Sequence, residues 1–521
     1  MLFETMLLLA GAAAVAGLAR RLGWSAPLLL VVAGLAASYL PGVEEYELEP
    51  EVVLYFILPP LLFAAAWQSS VINFRQNARA IGLLSVGLVL FTTVVVGFAV
   101  HAVVPDLPLA AAFALGAIVS PPDAVAATAV GRTVGLPRRL MTILAGESLI
   151  NDATALTALR VSVAAATVGG FSIWKGLEEF LLAGVGGAAI GLVLGVLAER
   201  LLRVLHDSVL ENTLVLLVPF VGYAAAEEAH TSGVLGVVVA GLYLGHRSPR
   251  RQTAATRLQG TAIWRMVEFL LESVVFALIG LQLPTVLDDL SDRPTGELAL
   301  AALVALGTVV TARFVWVYPA TYLPRLIPRI QARDSDPPWT YPTVLGWAGM
   351  RGVVSLAAAF ALPQDFPGRD LILFLTFVVV IGTLLLQGLT LPAVIRRLDV
   401  VGRDEQQDLV REAGAQHAAA RAALERLERE LAAGERVPDD VVARLREKAE
   451  LRQFGAWERL GGRGGEASEP PTVSFRRLRR AMIEAEREVF VDLRDRGQID
   501  EEVLIRVQRE LDLEEAILER D

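Results

Sequence analysis

Four polar residues stand close together in a stretch of sequence that is otherwise apolar. They are Glu147, Ser148, Asn151 and Asp152, in the segment GESLINDATAL at 146–156. On a helix, Ser148, Asn151 and Asp152 share one face because they are spaced i, i+3 and i+4. Their hydroxyl, amide and carboxylate oxygens are hard ligands that suit a small alkali cation. A carboxylate in this setting holds a proton or a cation but not both, which predicts coupled ion binding; a polar clamp between helices is the alternative.

Two other apolar segments are interrupted near their middle, and each interruption carries an ionisable residue. Pro121 and Pro122 precede Asp123 in ALGAIVSPPDAVAATAVG, and glycines surround Arg351 in VLGWAGMRGVVSLAAAF. Proline removes helix hydrogen bonds, and irregular backbone at membrane depth is tolerated only inside protein or beside a cavity. Secondary transporters often bind their substrates at paired broken helices. The two segments therefore predict a transport site.

The composition excludes several classes of protein. Of the 521 residues, 54% are hydrophobic, which is typical of a membrane protein rather than of a soluble domain. The formal net charge of −10 argues against nucleic acid as a partner. The chain has no cysteine, and its five histidines show no spacing typical of a transition-metal site. We therefore expect no cofactor.

The hydropathy pattern predicts about thirteen spanning helices, since a span needs about 20 mainly apolar residues. Arginine-rich loops alternate with acidic or neutral ones, which puts the N-terminus outside and the C-terminus inside. Arg20 and Arg21 follow the first apolar run, an order that favours a spanning helix over a signal peptide. We expect a multi-pass plasma-membrane protein with spans at about 2–19, 25–41, 50–68, 80–104, 108–131, 139–166, 174–198, 209–227, 231–246, 261–284, 296–323, 341–362 and 370–395.

The interrupted segments would be equivalent if spans one to six and eight to thirteen formed two inverted repeats. Beyond them, residues 399–521 are charged, alanine-rich and patterned as helices. The flexible segment GGRGGEASEPPT divides this tail. We expect a cytoplasmic helical domain whose role is to increase solubility or to support a dimer, with a regulatory role as the alternative.

Five motifs carry a family resemblance: LPPLLF, SPPDAVA, GESLINDA, FALIGLQLP and GMRGVVSLA. Together they resemble the monovalent cation:proton antiporter family, which includes NhaP-type antiporters and the animal sodium/proton exchangers. The resemblance implies an all-α, inverted-repeat antiporter fold with two crossing broken helices, a homodimer, and a core domain that moves to alternate access. The implied parts are the transmembrane domain 1–398, with core helices at about 80–166 and 296–395 and dimerisation helices at about 1–68 and 174–284, and the tail 399–521.

The resemblance also assigns roles to the ion-site residues. Asp152 matches the aspartate that binds the ion and the proton, and Ser148 matches a hydroxyl of the site. Asn151 matches the asparagine that marks electroneutral members. These three are the implied Na⁺ ligands, and Asp123 matches the aspartate of the first broken helix.

A buried ion pair is implied as well. Glu147 matches its glutamate, with Arg351 as the expected partner and Arg313 as a second arginine of the core. Two positions depart from the family pattern: Ala64 stands where several relatives carry an acid, and Pro122 where some archaeal members have threonine.

Three more charged residues lie within predicted spans. Glu268 and Glu272 are four residues apart in VEFLLESVVFALIG and either attract cations or face a polar neighbour, which is the reading we favour. Arg160 lies two turns beyond Asp152 and is expected to reach the interface or pair with an acid.

The residues and the resemblance together imply an electroneutral secondary transporter that exchanges Na⁺, or alternatively Li⁺ or K⁺, for a proton and serves pH homeostasis. The expected partners are the lipid bilayer, monovalent cations, protons and a second copy of the chain. No enzyme activity is expected. The Gly-x-Gly-Asp motif of intramembrane aspartyl proteases is absent, and Ser148 has no base nearby in sequence to make it a nucleophile. An ion channel or a membrane sensor of the same fold is the alternative.

Overall fold

The computed structural model shows a helical chain, with no strand in the part that it describes. By its internal contacts the chain divides into two compact units, Met1–Gly402 and Arg403–Asp521, and we describe each by itself. The structure describes residues 2–22, 26–39, 52–168, 173–205, 207–288, 290, 293–332, 334, 337–400, 404–433, 437–461, 471–496 and 498–518.

We number the helices in chain order. The first unit contains α1 (Leu2–Leu22), α2 (Ala26–Ser38), α3 (Val53–Trp67), α4 (Val71–Gln76), α5 (Ala78–Val103), α6 (Leu109–Val119), α7 (Ala124–Val134), α8 (Arg138–Val168), α9 (Ile173–Leu202), α10 (Ser208–Glu228), α11 (Gly233–Arg251), α12 (Ala254–Asp288), α13 (Thr295–Tyr322), α14 (Thr340–Trp347), α15 (Val353–Phe360) and α16 (Arg369–Arg397). The second unit contains α17 (Asp404–Ala432), α18 (Asp439–Gly461), α19 (Pro471–Asp495) and α20 (Glu501–Leu518).

Side-chain caps explain where several helices begin. The Asp207 carboxylate accepts hydrogen bonds from the backbone N–H groups of Val209 and Leu210 at the start of α10, at 2.8 and 3.0 Å. Ser232 caps α11 in the same way. Such caps satisfy N–H groups that have no partner within the helix.

In the described residues, six helices are long and apolar enough to span a membrane: Ala78–Val103, Phe180–Leu202, Ser208–Glu228, Ala254–Pro284, Thr295–Leu326 and Arg369–Arg397. The helices α2, α3 and α6 are apolar but shorter. Two predicted spans are broken into short pieces, α6 with α7 and α14 with α15, and α8 carries charged side chains within its length. The count of thirteen spans therefore stays a prediction.

The helices of the first unit pack mainly in two sets. In one set α6 contacts α5, α8 and α16, and α13 contacts α5, α14 and α16; in the other α12 contacts α1 and α2, and α11 contacts α3, α9 and α10. At the crossing of α2 and α12, a Cβ atom on Gly34 or Gly280 would overlap backbone of the facing helix, so only glycine fits there. Helix α8, which bears the polar face, contacts members of both sets.

The described residues of the second unit form two helix pairs, α17 with α18 and α19 with α20. Ile483, Leu504 and Leu511 are buried between apolar faces of the helices. Arg479 forms two hydrogen bonds of 2.7 Å with the Glu514 carboxylate, which joins α19 to α20.

Candidate functional site

Two helices of the first unit break at the same place in space. Helix α6 ends at Val119 and α7 begins at Ala124, while α14 ends at Trp347 and α15 begins at Val353. The two breaks touch, because the backbone N–H of Asp123 donates to the carbonyl oxygen of Met350 at 2.7 Å. Both helix breaks that the sequence predicts are therefore present, and they contact each other.

Arg351 ties the two breaks together. Its Nε donates to the carbonyl oxygen of Val119 at 2.9 Å and its Nη2 to that of Ser120 at 3.4 Å, while its Nη1 donates to the carbonyl of Gly349. The carbonyl groups at the end of α6 have no partner within the helix, and a cation is favourable there. The Arg351 backbone N–H donates to Oγ1 of Thr383 at 3.0 Å, so α16 holds the second break in place.

The polar face of α8 lies against the first break. Nδ2 of Asn151 donates to the carbonyl oxygen of Pro122 at 2.8 Å, and both groups are buried. Oδ1 of Asn151 is buried as well and accepts no hydrogen bond from the described residues. Asn151 thus fixes the backbone just before Asp123, which is a positioning contact that the sequence alone did not indicate.

A cavity of about 540 Å³ reaches this region, and acidic side chains line it. Asp152, Ser148 and Asp123 lie on its wall, as do Glu268 and Glu272 of α12. Asp152 is only 4% exposed, so the part of this wall that it forms is buried. The structure therefore brings together three of the four predicted ion-binding residues on one surface, while the fourth, Asn151, lies behind that wall.

Glycine at position 352 makes room for one of these carboxylates. A Cβ atom on Gly352 would overlap Oδ2 of Asp123. The close approach of carboxylate and backbone explains why a glycine follows Arg351 at the second break.

The acidic pair on α12 was expected to face a polar neighbour and does so only in part. Nε2 of Gln68, just beyond α3, donates to Oε1 of Glu268 at 2.9 Å. Both Glu268 and Glu272 nevertheless line the same cavity as Asp152. The sequence did not indicate that these two acids line the cavity, because the spacing of residues on one helix does not show which face lines a cavity.

The buried ion pair of Glu147 has a different partner from the one predicted. Nη1 and Nη2 of Arg313 donate to Oε1 and Oε2 of Glu147 at 2.5 and 2.8 Å, and both side chains are at most 1% exposed. Arg313 also donates through Nε to the carbonyl of Leu345 at 2.9 Å. The expectation that Arg351 pairs with Glu147 is wrong, because the Arg351 guanidinium is taken up by the carbonyls at the end of α6.

Two further positions named from the sequence can be located in the structure. Arg160 pairs with an acid, since its Nη2 donates to both carboxylate oxygens of Glu227 at 2.7 Å. Ala64 is completely buried, and it is Ala65 that reaches the cavity wall.

Among the described residues, no three histidines, cysteines or acids are arranged to hold a metal ion.

Comparison with known proteins identifies the family. The sequence model described as "Sodium/hydrogen exchanger, transmembrane" matches residues 7–397, about three quarters of the chain. The chain belongs to the sodium/hydrogen exchanger family. Membership supports a multi-pass membrane protein that exchanges a cation for a proton, and it places the chain among transporters rather than enzymes.

Relatives and a solved structure agree with this family. An uncharacterised Na⁺/H⁺ exchanger of Mycobacterium tuberculosis is 33% identical over 506 residues, covering 94% of this chain and 91% of the relative. A Na⁺/H⁺ antiporter of Aphanothece halophytica is 33% identical over 407 residues, covering 77% of this chain and 74% of the relative. The sodium proton antiporter MjNhaP1 of Methanocaldococcus jannaschii has the same fold, with a TM-score of 0.59 at 18% identity, over 75% of this chain and 97% of that one.

Proposed function

We propose that this exchanger is an electroneutral antiporter of the plasma membrane in which Na⁺ and a proton compete for Asp152. The observation that carries the proposal is the meeting of Asp152, Ser148 and Asp123 on one cavity wall, beside the contact between the two helix breaks. Carboxylate and hydroxyl oxygens suit Na⁺, and a buried carboxylate is costly unless it binds a cation or a proton.

The contacts of Asn151 support one-for-one exchange. Its amide is engaged with the Pro122 carbonyl and cannot ionise, so Asp152 is the acid of the α8 polar face that lines the cavity. One Na⁺ replacing one proton at Asp152 leaves the charge of the loaded site unchanged. The cycle then moves no net charge, and membrane potential does not drive it.

The shape of the cavity supports alternating access. The cavity extends to the exposed residues Gln68 and Ser70, at the turn between α3 and α4, and to Asn73 in α4. The positive-inside rule puts the neighbouring Arg75 and Arg79 in the cytoplasm, so we propose that this arrangement is open to the inside, with the N-terminus outside. The set of helices around α6 and α13 would be the moving core, and the set around α11 and α12 the dimerisation domain of a homodimer.

The test uses purified protein in liposomes with an imposed pH gradient, a pH-sensitive dye, and Na⁺, Li⁺ and K⁺ added in turn. Wild-type protein should dissipate the gradient with Na⁺, and Asp152→Asn should not. The matched control is Asp365→Asn, an exposed aspartate between α15 and α16, which should behave as wild type. No response to any cation overturns antiport and favours a sensor, while dissipation that survives Asp152→Asn overturns the assigned site.

A second arm of the experiment imposes a membrane potential with a potassium diffusion gradient. The rate of electroneutral exchange should change little with the imposed potential. A cycle that moves one charge would instead be driven or opposed by about 2.3 kcal/mol per 100 mV. Strong acceleration by voltage overturns the one-for-one exchange, and a conductive current without proton coupling favours a channel.

A further inference from the structure

Three arginines from separate parts of the first unit converge on the carboxylate of Asp334. Nη2 of Arg79 and Nη2 of Arg325 donate to Oδ2 at 2.6 and 2.7 Å, and Nη2 of Arg139 donates to Oδ1 at 2.6 Å. Burial tends to raise the pKa of Asp334, but the hydrogen bond of Arg139 and the charges of the three arginines outweigh it and hold that pKa below its ordinary value. Three cations around one anion leave a net charge of +2.

Two of these arginines have donors to spare. The Arg79 and Arg139 side chains are 33% and 39% exposed, while that of Arg325 is 7% exposed. Within the described part of the chain, Arg79 and Arg139 each donate through a single nitrogen, to Asp334. A guanidinium group has five N–H donors, so most of theirs point to the surroundings. Asp334 thus orients a pair of exposed guanidinium groups without neutralising them.

An apolar cleft of about 40 Å³ lies beside the same arginines. All three arginines line it, together with residues of α5, α8, α13 and α14. Cationic side chains beside an apolar wall match a phospholipid, whose phosphate and acyl chain meet within a few ångströms. The apolar wall residues include Leu84, Leu140, Ile143, Val317 and Leu345.

The segment that carries Arg325 also exposes large apolar side chains. Leu323, Leu326, Ile327 and Trp339 are between 53% and 77% exposed. Tryptophan and aliphatic side chains next to arginine are typical of the membrane–water boundary. This pattern favours a position of the cluster at the depth of lipid headgroups, and so a membrane lipid rather than a dissolved phosphate as the source of the anion.

We propose that Arg79 and Arg139 bind the phosphate of an anionic phospholipid whose acyl chain begins against the apolar cleft. Guanidinium groups form strong, charge-assisted hydrogen bonds with phosphate oxygens. The lipid would connect α5, α8 and the segment after α13 at the protein surface, as Asp334 connects them within the protein. The proposal does not depend on which cation is transported.

Native mass spectrometry of the full chain in neutral detergent tests the proposal. Dioleoyl-phosphatidylglycerol and dioleoyl-phosphatidylcholine are titrated separately, and the bound lipid is counted. Wild-type protein should bind the anionic lipid more tightly, and Arg79→Gln with Arg139→Gln should weaken that binding by about tenfold or more. The matched control, Arg396→Gln with Arg397→Gln, removes two exposed arginines at the end of α16 and should leave the binding unchanged.

A third variant separates lipid binding from a merely structural role. Asp334→Asn removes the competing carboxylate and should tighten binding of the anionic lipid by about fivefold. If the cluster only braced the fold, this variant would bind less lipid, as the arginine variants do. Equal affinity for the two lipids, an equal loss in the control variant, or displacement of the lipid by millimolar inorganic phosphate would each overturn the proposal.

Discussion

The pairing of Glu147 with Arg313 gives a prediction of definite size. Arg313→Leu removes two charge-assisted hydrogen bonds, at 2.5 and 2.8 Å, from a carboxylate that is 1% exposed. Breaking a buried pair by removing one partner costs about 3–5 kcal/mol, because a buried charge is left without a counter-ion. We expect the free energy of unfolding to fall by that amount in Arg313→Leu.

A double-mutant cycle isolates the pair. Because two apolar side chains leave no unpaired charge, Glu147→Leu with Arg313→Leu should cost less than the sum of the single variants by about 2 kcal/mol or more. Unfolding would be followed by tryptophan fluorescence in mixed micelles. The control is Arg160→Leu, whose side chain is 52% exposed and whose loss should cost about 1 kcal/mol or less.

A second double-mutant cycle tests which arginine is the partner of Glu147. Glu147→Leu combined with Arg351→Leu should show weaker coupling than the Glu147–Arg313 pair, since Arg351 bonds to carbonyl groups and acts on Glu147 only through its charge. Strong coupling of Glu147 to Arg351, together with additivity toward Arg313, would refute the assignment of the partner.

Three other predictions concern the cavity and the arginine cluster. Gly352→Ala should slow transport by about tenfold to a hundredfold, because its Cβ displaces the facing carboxylate, while Gly296→Ala, which has open space, should not. Glu268→Gln with Glu272→Gln should raise the Na⁺ concentration for half-maximal transport by about threefold to tenfold with the maximal rate unchanged, and salt should shrink the effect. The pKa of Asp334 is lowered in the folded protein. The stability that its charge contributes to the fold is therefore complete above the unfolded-state pKa of about 3.9, and it is lost as pH falls through the folded-state pKa. The difference in thermal stability between wild type and Asp334→Asn should therefore be constant from about pH 8 to 5 and vanish only below about pH 4.

The chemistry of the site was largely predictable from sequence, because few physical reasons put such residues in an apolar segment. Proline beside Asp123 and glycine beside Arg351 predicted two breaks, and helix breaks occur at both places. The spacing of Ser148 and Asp152 predicted a shared face, and both line one cavity. These inferences depend on local geometry, which a helix fixes within one or two turns.

Contacts between distant helices were not predictable in the same way. Arg313 and Arg351 are both single arginines in apolar surroundings, and nothing in their local sequence tells which one faces Glu147. The roles of Gln68 and Thr383 gave no signal at all, because a single polar residue is common both at the end of a helix and among apolar residues within one. Relative rotation and depth of helices decide these contacts, and neither follows from hydropathy.

The link between Arg351 and the end of α6 also bears on how the chain is made. The Val119 carbonyl accepts its hydrogen bond from a residue 232 positions later in the sequence. In lipid, an unsatisfied carbonyl costs several kcal/mol. The first broken helix therefore lacks a hydrogen-bond donor for this carbonyl when it leaves the ribosome. Until Arg351 is synthesised, these carbonyls need water or another temporary donor. The N-terminal half of the transmembrane unit therefore waits for its distal half, and a fragment that stops before the second break should be a substrate for quality-control proteolysis.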